Sequence, residues 1–166
     1  KGLILFRENN LTDALEVLRK AVEFNIYNWK CYNLMGLCLY KIGKFKECKN
    51  VWKKSIEIYD QVDNPAVSYL NSMEEVAFKN MCERYNKAYN LSLNQNYKEA
   101  LNTLSYVDIE KYPVVIIKNF WGLCSYAAGN KNKAIEVWKE VLRIDTSNKQ
   151  ALLYLAEVCE AKKESK

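Results

Sequence analysis

The chain has 166 residues, 49% hydrophobic and 27% charged, a balance that predicts a soluble globular protein with a single well-buried core. It has no histidine, two prolines and five glycines, which excludes imidazole-based catalysis and favours an all-helical chain over a many-turned β protein. The net charge of +5 is spread along the chain, and only 4 of the 25 basic residues are arginine, which disfavours nucleic-acid and anionic-membrane binding.

The six cysteines contain no CxxC pair, so neither a zinc knuckle nor a thioredoxin-type motif is expected. We expect reduced, mostly buried thiols in a cytoplasmic protein without a metal or cofactor. No apolar run approaches the ~18 residues that span a membrane, so no membrane contact is expected. The abundance of lysine, asparagine and tyrosine suggests an AT-rich, bacterial genome.

A period of 34 residues runs along the chain from its first helix onwards. The interval between the second and third copies is 52 residues, which indicates one insertion of about 18 residues in an otherwise constant period. Such a period is typical of helical repeats. The matched pairs include Gly2 and Gly36, Ala14 and Cys48, Leu18 and Trp52, Ala100 and Ala134, Leu104 and Trp138, and Gly122 and Ala156.

Each repeat has the pattern of two helices. In the second repeat the apolar positions recur at helical spacing up to Leu39, are broken around Gly43, and recur again from Phe45 onwards. Gly43 and Gly129 are predicted to form tight turns between paired helices. Gly36 and Gly122 are predicted to allow the two helices of a repeat to approach closely.

The segment from Trp29 to Asp60 resembles a tetratricopeptide repeat (TPR), as do Trp121–Gly122 with Ala134 and Trp138. The resemblance implies an all-α, right-handed superhelical solenoid of antiparallel helix pairs. We expect one domain over 1–166, whose first repeat lacks most of its opening helix. Its parts are repeats at about 1–28, 29–62, 81–114 and 115–148, an insertion at about 63–80, and a capping helix at about 148–163.

The insertion carries its own helix signals. Asn64 before Pro65 predicts a capped short helix over 65–71. The run Ser72–Glu75 has the pattern of a capping box, which predicts that the next helix begins near Met73.

In the TPR family the first helix of each repeat lines a concave groove. Asparagine and tyrosine recur there 86 residues apart, at 33 and 119 and at 40 and 126, and both suit contact with a peptide. Alternatively, the tyrosines only cover the rims of the stacked helices. The groove residues that the resemblance implies are Phe6, Arg7, Lys30, Asn33, Leu37, Tyr40, Lys41, Tyr85, Tyr89, Asn119, Leu123 and Tyr126, with Ser92, Leu153 and Glu157 beside them.

These features favour a non-enzymatic scaffold that binds a peptide or protein segment in the groove. The alternative is a purely structural segment of a longer repeat protein whose ligand site lies elsewhere. An RNA-binding repeat is disfavoured by the scarcity of arginine. A receptor for chaperone C-termini is not assigned, because Leu34, Asn86 and Phe120 occupy sites of that subfamily's carboxylate clamp.

Overall fold

The computed structural model describes residues 1–108, 112 and 114–164, and their side chains as far as Cys159. All regular structure in these residues is helical, as expected from the sequence. The helices are α1 (Gly2–Arg7), α2 (Leu11–Phe24), α3 (Trp29–Ile42), α4 (Phe45–Ile58), α5 (Pro65–Ser72), α6 (Val76–Leu93), α7 (Tyr97–Ser105), α8 (Val115–Ala127), α9 (Lys131–Ile144) and α10 (Lys149–Glu164).

Asparagine begins most of these helices. The side-chain oxygens of Asn10, Asn28 and Asn130 accept hydrogen bonds from the backbone N–H groups three residues later. Asn64 does the same for the N–H of Ala66, ahead of Pro65 in the first turn of α5. Each such cap satisfies a backbone donor at the helix start and contributes about 1 kcal/mol.

In each of the four helix hairpins of the described residues, the turn has a residue with positive φ at the same position of the repeat. Gly43 and Gly129 have φ of 100° and 87° in the turns after α3 and α8, so the predicted glycine turns are confirmed. The corresponding turns after α1 and α6 place Asn9 and Gln95 in the same left-handed region, with φ of 56° and 58°. Asparagine tolerates this conformation better than glutamine does, so Gln95 is the strained member of the set.

The insertion forms the predicted short helix, but the next helix does not begin where the sequence indicated. α5 ends at Ser72 and α6 begins at Val76. The capping-box prediction at Ser72 is wrong, because the Ser72 hydroxyl donates to the Tyr69 carbonyl at 2.7 Å and Met73 is buried at the end of α5. The hydroxyl thus closes the last turn of one helix and does not open the next.

Glu74 makes two exposed ion pairs at the corner between α5 and α6. Glu74 accepts a hydrogen bond from Lys49 of α4 at 2.7 Å, and its carboxylate is 3.0 Å from the ammonium of Lys79 of α6. These two lysines, Lys49 first, lower the pKa of the exposed Glu74 carboxyl to about 2. The corner is therefore tied to α4 through side chains on the surface.

The chain divides into two compact units, which we call unit 1 (Lys1–Lys79) and unit 2 (Asn80–Lys166). Each has a core built from the repeated positions, and the single domain over 1–166 stays a prediction. No described helix combines the length and apolar character that would let it cross a membrane. Core residues of unit 1 include Leu11, Ala14, Leu39, Cys48 and Trp52, and those of unit 2 include Ala88, Leu104, Ala134, Trp138 and Val141.

The predicted close approach at glycine is confirmed in both units. A Cβ at Gly36 would overlap the indole of Trp52, and one at Gly122 would overlap that of Trp138. Both indoles are 1% exposed. The glycines therefore let a rigid aromatic ring lie directly on the backbone of the partner helix.

Candidate interaction surface

Asn33, predicted to face a bound peptide, is buried within unit 1. Its amide nitrogen donates to the side-chain oxygen of Asn64 at 3.0 Å. Asn64 is 1% exposed and donates in turn to the carbonyls of Ser55 and Tyr59. The backbone carbonyl of Asn33 also accepts the indole N–H of Trp52 at 3.2 Å. Asn33 therefore joins α3 to the start of α5.

Asn119 makes the corresponding link in unit 2. Its amide nitrogen donates to the side-chain oxygen of Asn148 at 3.2 Å, and its carbonyl accepts the indole N–H of Trp138. Asn148 caps α10 by accepting the N–H of Ala151 at 2.9 Å. Asn33 and Asn119 are only 6% and 4% exposed, so the expectation that their amides meet a peptide is corrected here to a structural role.

Tyr40 lies in an aromatic cluster of unit 1. Its ring centroid is 5.7 Å from that of Phe45, 6.0 Å from that of Phe78 and 6.2 Å from that of Trp52. Phe45 and Phe78 also meet edge to face at 5.0 Å. This arrangement agrees with the alternative of rim packing for Tyr40.

The predicted cations of unit 1 lie over aromatic rings or in solvent. The ammonium of Lys41 is 5.0 Å from the centroid of Phe6, which is within the range of a cation–π contact. Lys30 is exposed, with its ammonium 5.4 Å from the ring centroid of Trp29. Arg7 is exposed in the last turn of α1.

Trp29 and Lys30 also line an apolar groove of about 760 Å³, which we call the unit 1 groove. The side chains that line it include Leu18, Ala21, Trp29, Leu34, Leu37 and Pro65. Leu37, a predicted groove residue, is half-buried there. Lys1 and Lys30 are the charged side chains of the lining, among the residues that the structure describes.

In unit 2 the predicted tyrosines of α6 pack on α8. The ring centroid of Tyr85 is 5.4 Å from that of Phe120 in an edge-to-face contact, and that of Tyr89 is 5.9 Å away. Burial raises the pKa of the half-buried Tyr85 hydroxyl. Tyr89 is 47% exposed. Tyr85 therefore packs into the contact with Phe120, whereas much of the Tyr89 ring is open to solvent.

Two further predicted residues of α8 are exposed. Leu123 and Tyr126 are 38% and 37% accessible, and Leu123 lies one turn from Phe120. The ring of Tyr126 is 6.2 Å from that of Trp138, and the ammonium of Lys131 is 5.9 Å from its centroid. We call the surface formed by Tyr85, Tyr89, Leu123 and Tyr126 the unit 2 face.

The buried thiols offer no nucleophile. Burial raises the pKa of Cys48 to about 12 and that of Cys124 to about 11, so both stay protonated at neutral pH. Cys48 donates its S–H to the Gly36 carbonyl at 3.3 Å. All six cysteines are outside disulfides, and no group of three or more Cys, Asp or Glu among the described residues could hold a metal ion.

The sequence contains both halves of the signal for the asparagine links. Asn64 has the position of a helix cap and Asn33 recurs in the repeat, but it is the structure that pairs these two residues. Asn119 and Asn148 repeat the pair with nearly the same spacing, 29 residues in place of 31. A buried asparagine that precedes a cap asparagine by about 30 residues would have predicted the link.

Comparison with known proteins gives no family model that matches the chain. A stretch of 73 residues is 30% identical to a BBSome complex member BBS4 homolog from Drosophila melanogaster, covering 44% of this chain and 15% of that protein. Among solved structures, a MamA double mutant aligns over 97% of this chain and 80% of its own, with 17% identity and a TM-score of 0.46. MamA from Desulfovibrio magneticus aligns over 98% and 92%, with 16% identity and a TM-score of 0.37. The TPR-like character of the chain therefore rests on its own repeated helix pairs and their glycine–tryptophan contacts.

Proposed function

We propose that the chain is a non-enzymatic scaffold that binds a peptide or protein segment on the unit 2 face. The observation that supports this is the exposure of large apolar side chains at repeated first-helix positions. Tyr89, Leu123 and Tyr126 are each more than a third accessible, although they adjoin the buried Phe120 and Trp138. Exposed aromatic groups next to a rigid core are typical anchors of protein interfaces.

The unit 2 face suits a segment with a few apolar side chains. Tyrosine adds large contact area while losing little rotamer freedom, and its hydroxyl can bond to a peptide backbone. Asn33 and Asn119 are left out of the proposed contact set because both side chains are buried and their amide nitrogens donate to Asn64 and Asn148. In unit 1, Phe6, Arg7, Lys30, Leu37 and Lys41 stay candidates for additional contacts. The absence of nucleic-acid or membrane partners, the cytoplasmic location and the bacterial origin all stay predictions.

The test is partner capture followed by paired variants. Proteins retained by the 166-residue chain are identified by mass spectrometry, and their affinities are measured by calorimetry for the wild type and for Tyr89→Ala with Tyr126→Ala. We expect the double variant to weaken binding at least about tenfold, or roughly 1.4 kcal/mol. Its melting temperature serves to show that the fold is kept.

The control is Lys139→Ala, an exposed position on α9. Lys49→Ala is unsuitable as a control because Lys49 pairs with Glu74. If Lys139→Ala abolished binding and the tyrosine variant did not, the unit 2 face would be the wrong surface. If no captured protein depended on either, the alternative of a structural segment in a longer repeat protein would be favoured.

A further inference from the structure

The unit 2 face contains no charged residue, although 27% of the chain is charged. The positions of α6 and α8 that the TPR resemblance assigns to the groove are all uncharged, namely Tyr85, Tyr89, Ser92, Asn119, Leu123 and Tyr126. The ammonium of Lys131 lies 5.9 Å from the ring centroid of Tyr126, so this cation is already in contact with a ring. A charged partner segment would lose hydration on this face without meeting an opposite charge, so an uncharged segment is favoured.

The same face offers tyrosine hydroxyls as hydrogen-bond donors. Within the described residues, no hydrogen bond engages the hydroxyls of Tyr85, Tyr89 and Tyr126. The amide of Asn119, which could both donate to and accept from a peptide backbone, is buried and donates to Asn148. The face therefore suits a segment whose backbone carbonyls need donors and whose backbone has few N–H groups in need of acceptors.

A proline-rich segment in the polyproline II conformation has this chemistry. The conformation has no internal hydrogen bonds, so its carbonyls stay free to accept them. Proline has no backbone N–H, and its ring is an uncharged apolar surface that docks on aromatic side chains. An α-helix, by contrast, uses most of its carbonyls in its own hydrogen bonds and would leave the tyrosine hydroxyls without acceptors.

The spacing of the two helices also fits that conformation. Polyproline II rises about 3.1 Å per residue with three residues per turn, so side chains three residues apart lie about 9 Å apart on one side. Tyr85 of α6 packs on Phe120 of α8 with ring centroids 5.4 Å apart, and packed helices have axes about 8–10 Å apart. A segment that crosses both helices can therefore place one proline beside Tyr89 and the next beside Leu123 or Tyr126.

We propose that the unit 2 face binds an uncharged, proline-rich segment of a partner protein in the polyproline II conformation. Prolines three residues apart pack on α6 and on α8, and the tyrosine hydroxyls donate to the free carbonyls between them. This inference rests on the proposed function, because it names the class of partner for the same surface.

The probe is a synthetic peptide of repeated Pro-Pro-Leu triplets, about 12 residues long, with a fluorescent label on its N-terminus. Anisotropy titration with the 166-residue chain should show saturable binding of one peptide per chain. A control peptide with glycine and serine in place of the prolines keeps the leucines and should bind at least about tenfold more weakly. Raising the salt from about 0.1 M to about 1 M should change the affinity by less than about twofold, since no ion pair is involved. Equal binding of the two peptides, no saturation, or loss of binding in high salt would overturn the proposal.

Variants of the chain locate the peptide. Tyr89→Ala with Tyr126→Ala removes two rings and should weaken binding at least about tenfold. Tyr89→Phe with Tyr126→Phe keeps the rings, removes the hydroxyls and should weaken binding about threefold. The matched control is Tyr106→Ala, because Tyr106 is 66% exposed directly after α7 and lies outside the face. Melting curves show that each variant is folded. Full binding by either double variant, or a loss confined to Tyr106→Ala, would overturn the proposal.

A helical peptide separates this inference from the proposed function. It is built from leucine, alanine, glutamate and lysine so that it forms an amphipathic α-helix. If this peptide binds, Tyr89→Ala with Tyr126→Ala abolishes its binding, and the proline-rich peptide does not bind, the inference is overturned and the face remains an interaction surface. If neither peptide binds and no captured protein depends on the two tyrosines, the inference and the proposed function both fail.

Discussion

Units 1 and 2 carry the same register of residues and use it differently. Both place a tryptophan on a glycine, and both link a buried asparagine to the cap of a later helix. They differ at their surfaces, because Tyr40 packs in an aromatic cluster while its counterpart Tyr126 is exposed. The contacts common to both units hold the helix pairs together, and the positions that differ are where interaction surfaces should be sought.

The largest expected effect tests the shared glycine–tryptophan contact. Even a methyl group at Gly36 meets the rigid indole of Trp52, so Gly36→Ala should destabilise the protein by about 3 kcal/mol, and Gly36→Leu by at least as much. Gly122→Ala should behave alike, whereas Gly2→Ala should cost less, because its Cβ would meet the buried Leu18 side chain at 2.9 Å and not a rigid indole ring. Urea unfolding of the three alanine variants measures this. Equal costs at all three sites would show that the tryptophan contact is not what requires glycine.

The second expected effect separates the two tyrosines at one register position. Tyr40→Ala removes a ring that packs on three aromatic neighbours, so it should cost about 2–3 kcal/mol. Tyr126→Ala should cost less than about 1 kcal/mol, since its ring is partly exposed and packs mainly on Trp138. Thermal unfolding of the two variants under the same conditions is the measurement. Similar losses would contradict the division between a packed tyrosine and a surface tyrosine.

The third effect concerns the asparagine links. Asn64 is buried and bonded to Asn33, Ser55, Tyr59 and the start of α5, so Asn64→Ala should cost about 2 kcal/mol by leaving several buried groups unpaired. Asn148→Ala, at a half-buried cap, should cost about 1 kcal/mol. Chemical denaturation of both variants tests the order, and a larger loss for Asn148→Ala would reverse our ranking of the two links.

The smallest effect is a gain of stability at a strained turn. Gln95 has φ of 58° where Gly43 and Gly129 stand in other hairpins, so Gln95→Gly should stabilise the protein by up to about 1 kcal/mol. Gly129→Ala should destabilise it by a similar amount, although its Cβ would meet no neighbouring atom within 4 Å. The midpoint of thermal unfolding should rise in the first variant and fall in the second. A fall in both would mean that the Gln95 side chain contributes more than its backbone strain costs.

The sequence predicted the parts of the fold that depend on repetition. The 34-residue period predicted the helix pairs, the glycine turns and the close helix approach at Gly36 and Gly122, because each depends on residue types that recur at fixed spacing. The short helix after Asn64 followed from local capping chemistry. By contrast, the start of α6 was placed three residues too early, since the burial of Met73 and the bond from Ser72 to Tyr69 are tertiary outcomes that a capping pattern does not contain.

The candidate site was less accessible to sequence reasoning. A first-helix position predicted Asn33, Tyr40 and Tyr126 as equal members of one surface, but the neighbours of each residue decide whether it is buried. Asn33 is covered because a cap asparagine lies opposite, and Tyr40 is covered because Phe45 and Phe78 converge on it. Tyr126 lacks such aromatic neighbours beyond Trp138 among the described residues.

The buried thiols can be used to measure local unfolding in each of the two units. Cys48 in unit 1 and Cys124 in unit 2 are 0% and 1% exposed, so an alkylating reagent reaches them only when the surrounding helices separate. Cys159, which is exposed, would react at once and provide an internal reference. Mass spectrometry of timed alkylation would therefore report the local unfolding of each unit in the chain without any substitution. Different rates at Cys48 and Cys124 would mean that the two units unfold locally to different extents.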